Sequence, residues 1–117
     1  MNISLGLGEF RVGRAANEQW VIYGLGSCIG LILCDPVRRV AAAAHIVLPR
    51  QLNGNGEDQP AKYVDTAVPF LITEMEALGA RRGDIYAQAA GGAQMLNLRS
   101  LGDIGARNAA ATRSALA

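Results

Sequence analysis

Aromatic residues are scarce in this chain, 5% of 117 residues, although hydrophobic residues make up 50%. A core must therefore be built from Ala, Val, Ile and Leu, and the length suits a single domain, 1–117. An excess of charge of either sign is also lacking. Eleven Lys and Arg meet ten Asp and Glu, for a formal net charge of +1. With no basic run, charge gives no support to a nucleic-acid partner. No apolar run approaches the ~20 residues that span a membrane, so no membrane insertion is expected. The opening Met1-Asn2-Ile3-Ser4-Leu5 lacks the basic start and long apolar stretch of a secretory signal. Cysteine occurs only as Cys28 and Cys34, too few for a disulfide scaffold. Six positions apart in one expected strand, they lie roughly 20 Å from each other at ~3.3 Å per residue, beyond disulfide reach. A cytoplasmic protein with free thiols follows. Histidine occurs once, at His45. Two Cys, one His and scattered acids show no close metal-ligand spacing.

What is present reads as alternating strands and helices. An edge strand is expected near 8–13 and a short strand over Trp20-Val21-Ile22-Tyr23. Ile29 to Cys34 is β-rich and ends at Asp35-Pro36, a pair that favours the start of a type I turn. Val40 to Leu48 returns from that turn. Its alanines, Ala41 to Ala44, have helical propensity, but the run is short, bounded by turn signals and ends in Ile-Val-Leu-Pro, so a strand is preferred. Gln51 to Gln59 reads as a loop. Pro60 opens a helix whose apolar stripe is Val64, Val68, Leu71, Met75 and Leu78, with Gly79 as its stop. Pro69 interrupts that stripe and should kink the helix near Asp65. Asp84 to Ala90 is a further strand, and Asp103 could cap a last helix running to Ala117.

The stretch Gly24-Leu25-Gly26-Ser27-Cys28 holds the most specific chemistry. It places a cysteine after a tight glycine turn, at the start of one strand of a hairpin whose other strand carries His45. A two-residue turn at Pro36-Val37 would pair Asp35 with Arg38 and set Cys28 directly across from His45. Their Cβ atoms would then be ~4.5–5.5 Å apart on one face. A register longer by one residue would send His45 to the other face. A free Cys is among the most buried residue types and is more often structural than catalytic. As a nucleophile, however, it needs a base, and an imidazole can take its proton or, as imidazolium, stabilise its thiolate. Backbone N–H groups freed by the glycines could face a developing oxyanion. Acyl transfer at an amide or ester is the reaction class this implies. A dinucleotide fingerprint fails, because Ile29 stands where the third glycine belongs. A serine elbow at Ser27 fails because the Gly-x-Ser-x-Gly pattern is not present around it.

Six ordered segments resemble the CheD family of chemoreceptor glutamine deamidases. They are Leu25-Gly26-Ser27-Cys28, Asp35-Pro36, His45-Ile46-Val47-Leu48-Pro49, Lys62-Tyr63-Val64-Asp65-Thr66-Ala67, Gly91-Gly92-Ala93-Gln94-Met95 and Ile104-Gly105-Ala106-Arg107-Asn108. The resemblance runs from about residue 5 to the end. It implies an α/β fold of the α+β layered-sandwich kind, with a mixed or antiparallel sheet, a central hairpin at about 28–48 and main helices at about 60–79 and 103–117. It also implies hydrolysis of glutamine side-chain amides on methyl-accepting chemotaxis receptors through a Cys28 thioester, with His45 as general base. No cofactor is implied. Partners would be the receptor's cytoplasmic helices and, in many bacteria, the CheC phosphatase.

Two departures qualify the match. The family carries a threonine five or six residues before the cysteine as a third catalytic member. Tyr23 and Ile22 stand there instead, leaving Ser27 as a substitute helper. The family pattern also continues beyond the Arg-Asn motif, so this domain is expected to lack the family's C-terminal part and to expose a sheet edge open to pairing. Both departures favour an alternative, a catalytically weak or inactive CheD-like binding module that docks on receptor helices or CheC.

Overall fold

The computed structural model describes residues 2–14, 18–51, 59–93 and 104–116. Among them are strands β1 (Asn2–Ser4), β2 (Phe10–Gly13), β3 (Gln19–Val21), β4 (Ile29–Asp35), β5 (Val40–Ile46) and β6 (Tyr86–Gly91), with helices α1 (Val64–Ala77) and α2 (Ile104–Leu116). Strands β2-β5-β4-β6 form an antiparallel sheet in that order, and β1 and β3 form a small parallel pair. This is the expected α+β layered arrangement. The expected loop over 51–59 and the Asp103 cap fall largely outside the described residues.

One face of the sheet packs on α1. Ile29, Leu31 and Leu33 of β4 meet Val40, Ala42, Ala44 and Ile46 of β5 and, from the helix, Val64, Ala67, Val68, Leu71 and Met75. The central position of β5, between β2 and β4, explains why an alanine run forms a strand. Burial on both faces, with a ladder on each side, outweighs the helical preference of isolated Ala residues. Phe10 of β2 and Phe70 of α1 add an edge-to-face contact, with centroids 4.9 Å apart. Leu78 is not part of the core stripe. It caps α1 and is 38% exposed. Gly79, at φ 100°, ends the helix, with its N–H donating to Glu76 O and the Ala80 N–H to Met75 O. This left-handed stop is the one expected of glycine. Pro69 lies inside α1, and the helix continues through it.

The β4–β5 hairpin forms, but its register differs from the expected one. Asp35 pairs with Val40 and Gly30 with His45. The connection therefore holds four residues, Pro36 to Arg39, with Arg39 at φ 58°. The reason lies in Asp35, which is fully buried. Its carboxylate accepts from the N–H groups of Val37 and Arg38, from Arg38 Nη1 at 2.9 Å and from the distant Arg81 N–H at 3.0 Å. Arg38 also bonds Asp84 at 2.7 Å. These bonds pin a wider turn than the Asp-Pro signal alone suggests.

Burial works against ionisation of Asp35. The Arg81 N–H and the guanidinium and N–H of Arg38 outweigh it and hold the carboxyl down at about 2. A folded-state value below the unfolded one, about 3.9, stabilises the fold above that unfolded value and ceases to do so as pH falls through the folded one. Urea unfolding followed against pH is expected to show wild-type stability falling between about pH 4 and pH 2. The Asp35→Asn variant should be less stable at neutral pH and should lack that part of the decline.

Candidate active site

The chain leaves β3, passes Gly24 at φ 68°, and reaches Cys28 just before β4. Three consecutive carbonyls of this turn are held from behind. Gly26 O accepts from the Ala93 N–H at 2.9 Å and Cys28 O from the Gly92 N–H at 2.9 Å. Ser27 O accepts from Asn108 Nδ2 at 2.9 Å. In a trans peptide the C=O and N–H point opposite ways. The N–H groups of Ser27 and Cys28 therefore turn away from these anchors, and neither donates to a described residue. The Ser27 hydroxyl likewise has no described partner, so the structure engages Ser27 through its carbonyl.

Glycines at the end of β6 and at the start of α2 make this close approach possible. Gly91 and Gly92 have φ of 106° and 75°. A Cβ on Gly91 would collide with the Cys28 carbonyl oxygen, and one on Gly105 with the Ala93 carbonyl oxygen. These backbones meet where no side chain fits.

His45 sits near the end of β5 and is 3% exposed. Its backbone is bracketed by the segment between β1 and β2: the Gly8 N–H donates to His45 O, and the His45 N–H donates to Glu9 O. Its Nδ1 lies 3.1 Å from Leu5 O. A carbonyl can only accept, so Nδ1 carries the proton and, in the neutral ring, Nε2 holds the lone pair. Nε2 is buried with no described hydrogen-bond partner. The ring is thus oriented by a main-chain group rather than by a threonine, Tyr23 or Asp65. Asp65 instead accepts from the Gln51 N–H.

Cys28 and His45 do not face each other directly. With Gly30 opposite His45 and Ile29 opposite Ile46, Cys28 lies one position beyond the last ladder pair. The shift from the expected register is two residues. An even shift preserves the face. Ile29 and Ile46 point into the core, and strand alternation puts Cys28 and His45 together on the opposite side. They are diagonal neighbours, a relation that separates Cβ atoms by up to about 7–8 Å. No hydrogen bond joins them, and burial alone pushes the half-buried Cys28 thiol up from its ordinary value. Neither observation supports a thiolate standing ready beside the ring. Cys34 is the other free thiol. It sits on the same sheet face, beside Tyr86 of β6.

Two supports went unassigned in the sequence. Leu5 acts through its carbonyl, which no residue type advertises. Asn108 was visible within the segment Ile104-Gly105-Ala106-Arg107-Asn108 but without a role; it lies on a helix face that also carries Gly105 and Thr112, all three buried. Its Nδ2 also donates to Val47 O at 2.8 Å, while Oδ1 is buried without a described partner. An unsatisfied buried acceptor costs about 1–3 kcal/mol.

A family model described as CheD chemotactic sensory transduction matches residues 47–117. Curated relatives align over almost the whole chain. A protein of Symbiobacterium thermophilum named "Probable chemoreceptor glutamine deamidase CheD" is 48% identical, the alignment covering 97% of this chain and 72% of the relative. One of the same name from Archaeoglobus fulgidus is 44% identical, over 97% and 71%. The "Chemoreceptor glutamine deamidase CheD" of Thermotoga maritima is 40% identical, over 96% and 69%.

The glycine contacts are open to a direct check. Gly91→Ala adds a Cβ against Cys28 O at a φ that costs a non-glycine residue about 1–3 kcal/mol. Its urea midpoint is expected to fall by at least that equivalent, whereas Gly83→Ala, where a Cβ would meet open space, should move it far less.

Proposed function

The chain belongs to the CheD family, and on that premise we propose that it hydrolyses the side-chain amide of glutamine on chemoreceptors, releasing ammonia and leaving glutamate. The observation that carries this reading is the imidazole of His45. It is held at Nδ1 by the Leu5 carbonyl at 3.1 Å, with Nε2 unengaged on the same sheet face as the Cys28 thiol. The names of the relatives supply the substrate class.

In this reading Cys28 Sγ attacks the amide carbon while Nε2 of His45 takes the thiol proton. The tetrahedral oxygen gains negative charge beside the N–H groups of Ser27 and Cys28, which are turned away from their carbonyl anchors. His45 returns the proton to the departing nitrogen, ammonia leaves, and a thioester remains on Cys28. Water then attacks with its proton passing to Nε2, the C–S bond breaks as Nε2 returns that proton to the departing Cys28 Sγ, and the product acid leaves as the glutamate carboxylate. Base assistance during attack suits a thiol that burial pushes up, because the proton is removed only as the new bond forms. Ser27 serves through its backbone. Leu7 and Tyr23, both 68% exposed, stand next in sequence to Gly8, which bonds His45 O, and to the glycine turn that leads to Cys28.

One observation favours a second reading, a binding module that docks on receptor helices or on the CheC phosphatase with little turnover: no hydrogen bond joins Cys28 to His45. Incubation with a receptor cytoplasmic fragment, read by mass spectrometry, separates the two. Under the deamidase reading wild type converts glutamine to glutamate and Cys28→Ala does not, while His45→Ala slows conversion by about 10²–10⁴-fold. Binding of the fragment by folded wild type without conversion selects the module.

A further inference from the structure

Asn108 is fully buried, and its amide joins two segments that approach each other from different parts of the chain. One Nδ2 bond reaches Ser27 O at 2.9 Å and the other reaches Val47 O at 2.8 Å. Both partners are carbonyl acceptors, which fixes the amide orientation, since only the NH₂ side can serve them. Oδ1 is then left buried without a described partner, a burden an apolar side chain of similar size would not carry. The side chain is therefore better matched to what it holds than to the packing of its own helix.

What it holds is a peptide plane. Resonance makes the Ser27–Cys28 unit rigid, with C=O and N–H opposed. Fixing Ser27 O fixes the direction of the Cys28 N–H. The neighbouring Gly26 and Cys28 carbonyls are anchored by the backbone N–H groups of Ala93 and Gly92. The Ser27 carbonyl is the one of the three anchored by a side chain. The second Nδ2 bond ties the same amide to Val47, two positions past His45, so the donor and the base share one frame. Resting on the deamidase reading above, we infer that Asn108 is a positioning residue for the reaction. It aims the Cys28 N–H at the oxygen of the tetrahedral intermediate and keeps that donor in register with His45.

Two reagents for the same thiol test this. Iodoacetamide alkylates Cys28 at a saturated carbon, displacing iodide, and develops no oxyanion. p-Nitrophenyl acetate acylates it: the S–acetyl bond forms, p-nitrophenolate leaves, the thiol proton passes to His45, and an oxyanion develops on the way. Both rates are measured in a Cys34→Ala background, so that one thiol reacts, on Asn108→Ala and on the near-isosteric Asn108→Asp, with folding followed by circular dichroism. The expected result is an acylation rate lowered by at least ~10-fold, as befits loss of a preorganised oxyanion donor, with alkylation within about 3-fold of the parent. Parallel loss of both rates, no loss of either, or failure of both variants to fold would assign Asn108 to the fold alone and overturn the inference. A parent chain whose acylation does not depend on His45 would instead overturn the deamidase reading on which the inference rests.

Discussion

Asp35 ends β4 with a carboxylate that accepts from Val37, Arg38 and Arg81, and through these bonds it sets how β5 returns along β4. Strand pairing allows side chains to change faces with every single-residue slip. The four-residue connection displaces the pairing by an even number from the tight-turn alternative. Ile29, Leu31, Ala42 and Ala44 therefore stay inside against α1, and His45 stays on the side where the chain brings Cys28. An odd displacement would have buried an imidazole among Leu71 and Met75 and separated it from the thiol. The polar cluster at one end of the hairpin thus governs the chemistry available at the other.

At that other end the Cys28 and His45 side chains are held by unrelated parts of the chain. His45 is framed by the segment leading from β1 to β2, through Leu5, Gly8 and Glu9. The Cys28 turn is framed by residues 92 and 93 and by α2. Neither frame is local in sequence, so the site exists only in the assembled sheet. Asn108 is where the frames come closest to a common fastening, because it grips the turn and the end of the β5 strand together.

Much of this could be read from the residues. Apolar runs and turn signals placed five of the six strands, α1 and α2. The glycine turn with Cys28, and His45 on a neighbouring strand, marked the candidate site. The register was less legible, for a physical reason. Asp35-Pro36 signals the start of a turn but not its length, and nothing local announces that Arg39 will take φ 58° or that the Arg81 N–H will reach back to Asp35. The first strand escaped notice because three residues, Asn2-Ile3-Ser4, carry too little periodicity. Leu78 fits the helical stripe by spacing yet falls on the capping turn, where the chain already bends away from the core. Glycines 91 and 105 were visible as letters, but their purpose, close approach of backbones, appears only once the partner carbonyls are in place.

The orienting partner of His45 has one further property. A threonine hydroxyl can be lost by a single substitution, and its loss is visible in any comparison of sequences. The Leu5 carbonyl belongs to the main chain, and every amino acid supplies one. Replacing Leu5 changes the packing around the ring but leaves the acceptor itself in position. What can remove it is a change of path, such as an insertion between β1 and Gly8 that shifts the bracket of backbone hydrogen bonds around His45. The orienting function is thereby encoded in chain length and spacing rather than in residue identity, and drift at position 5 is compatible with an unchanged tautomer.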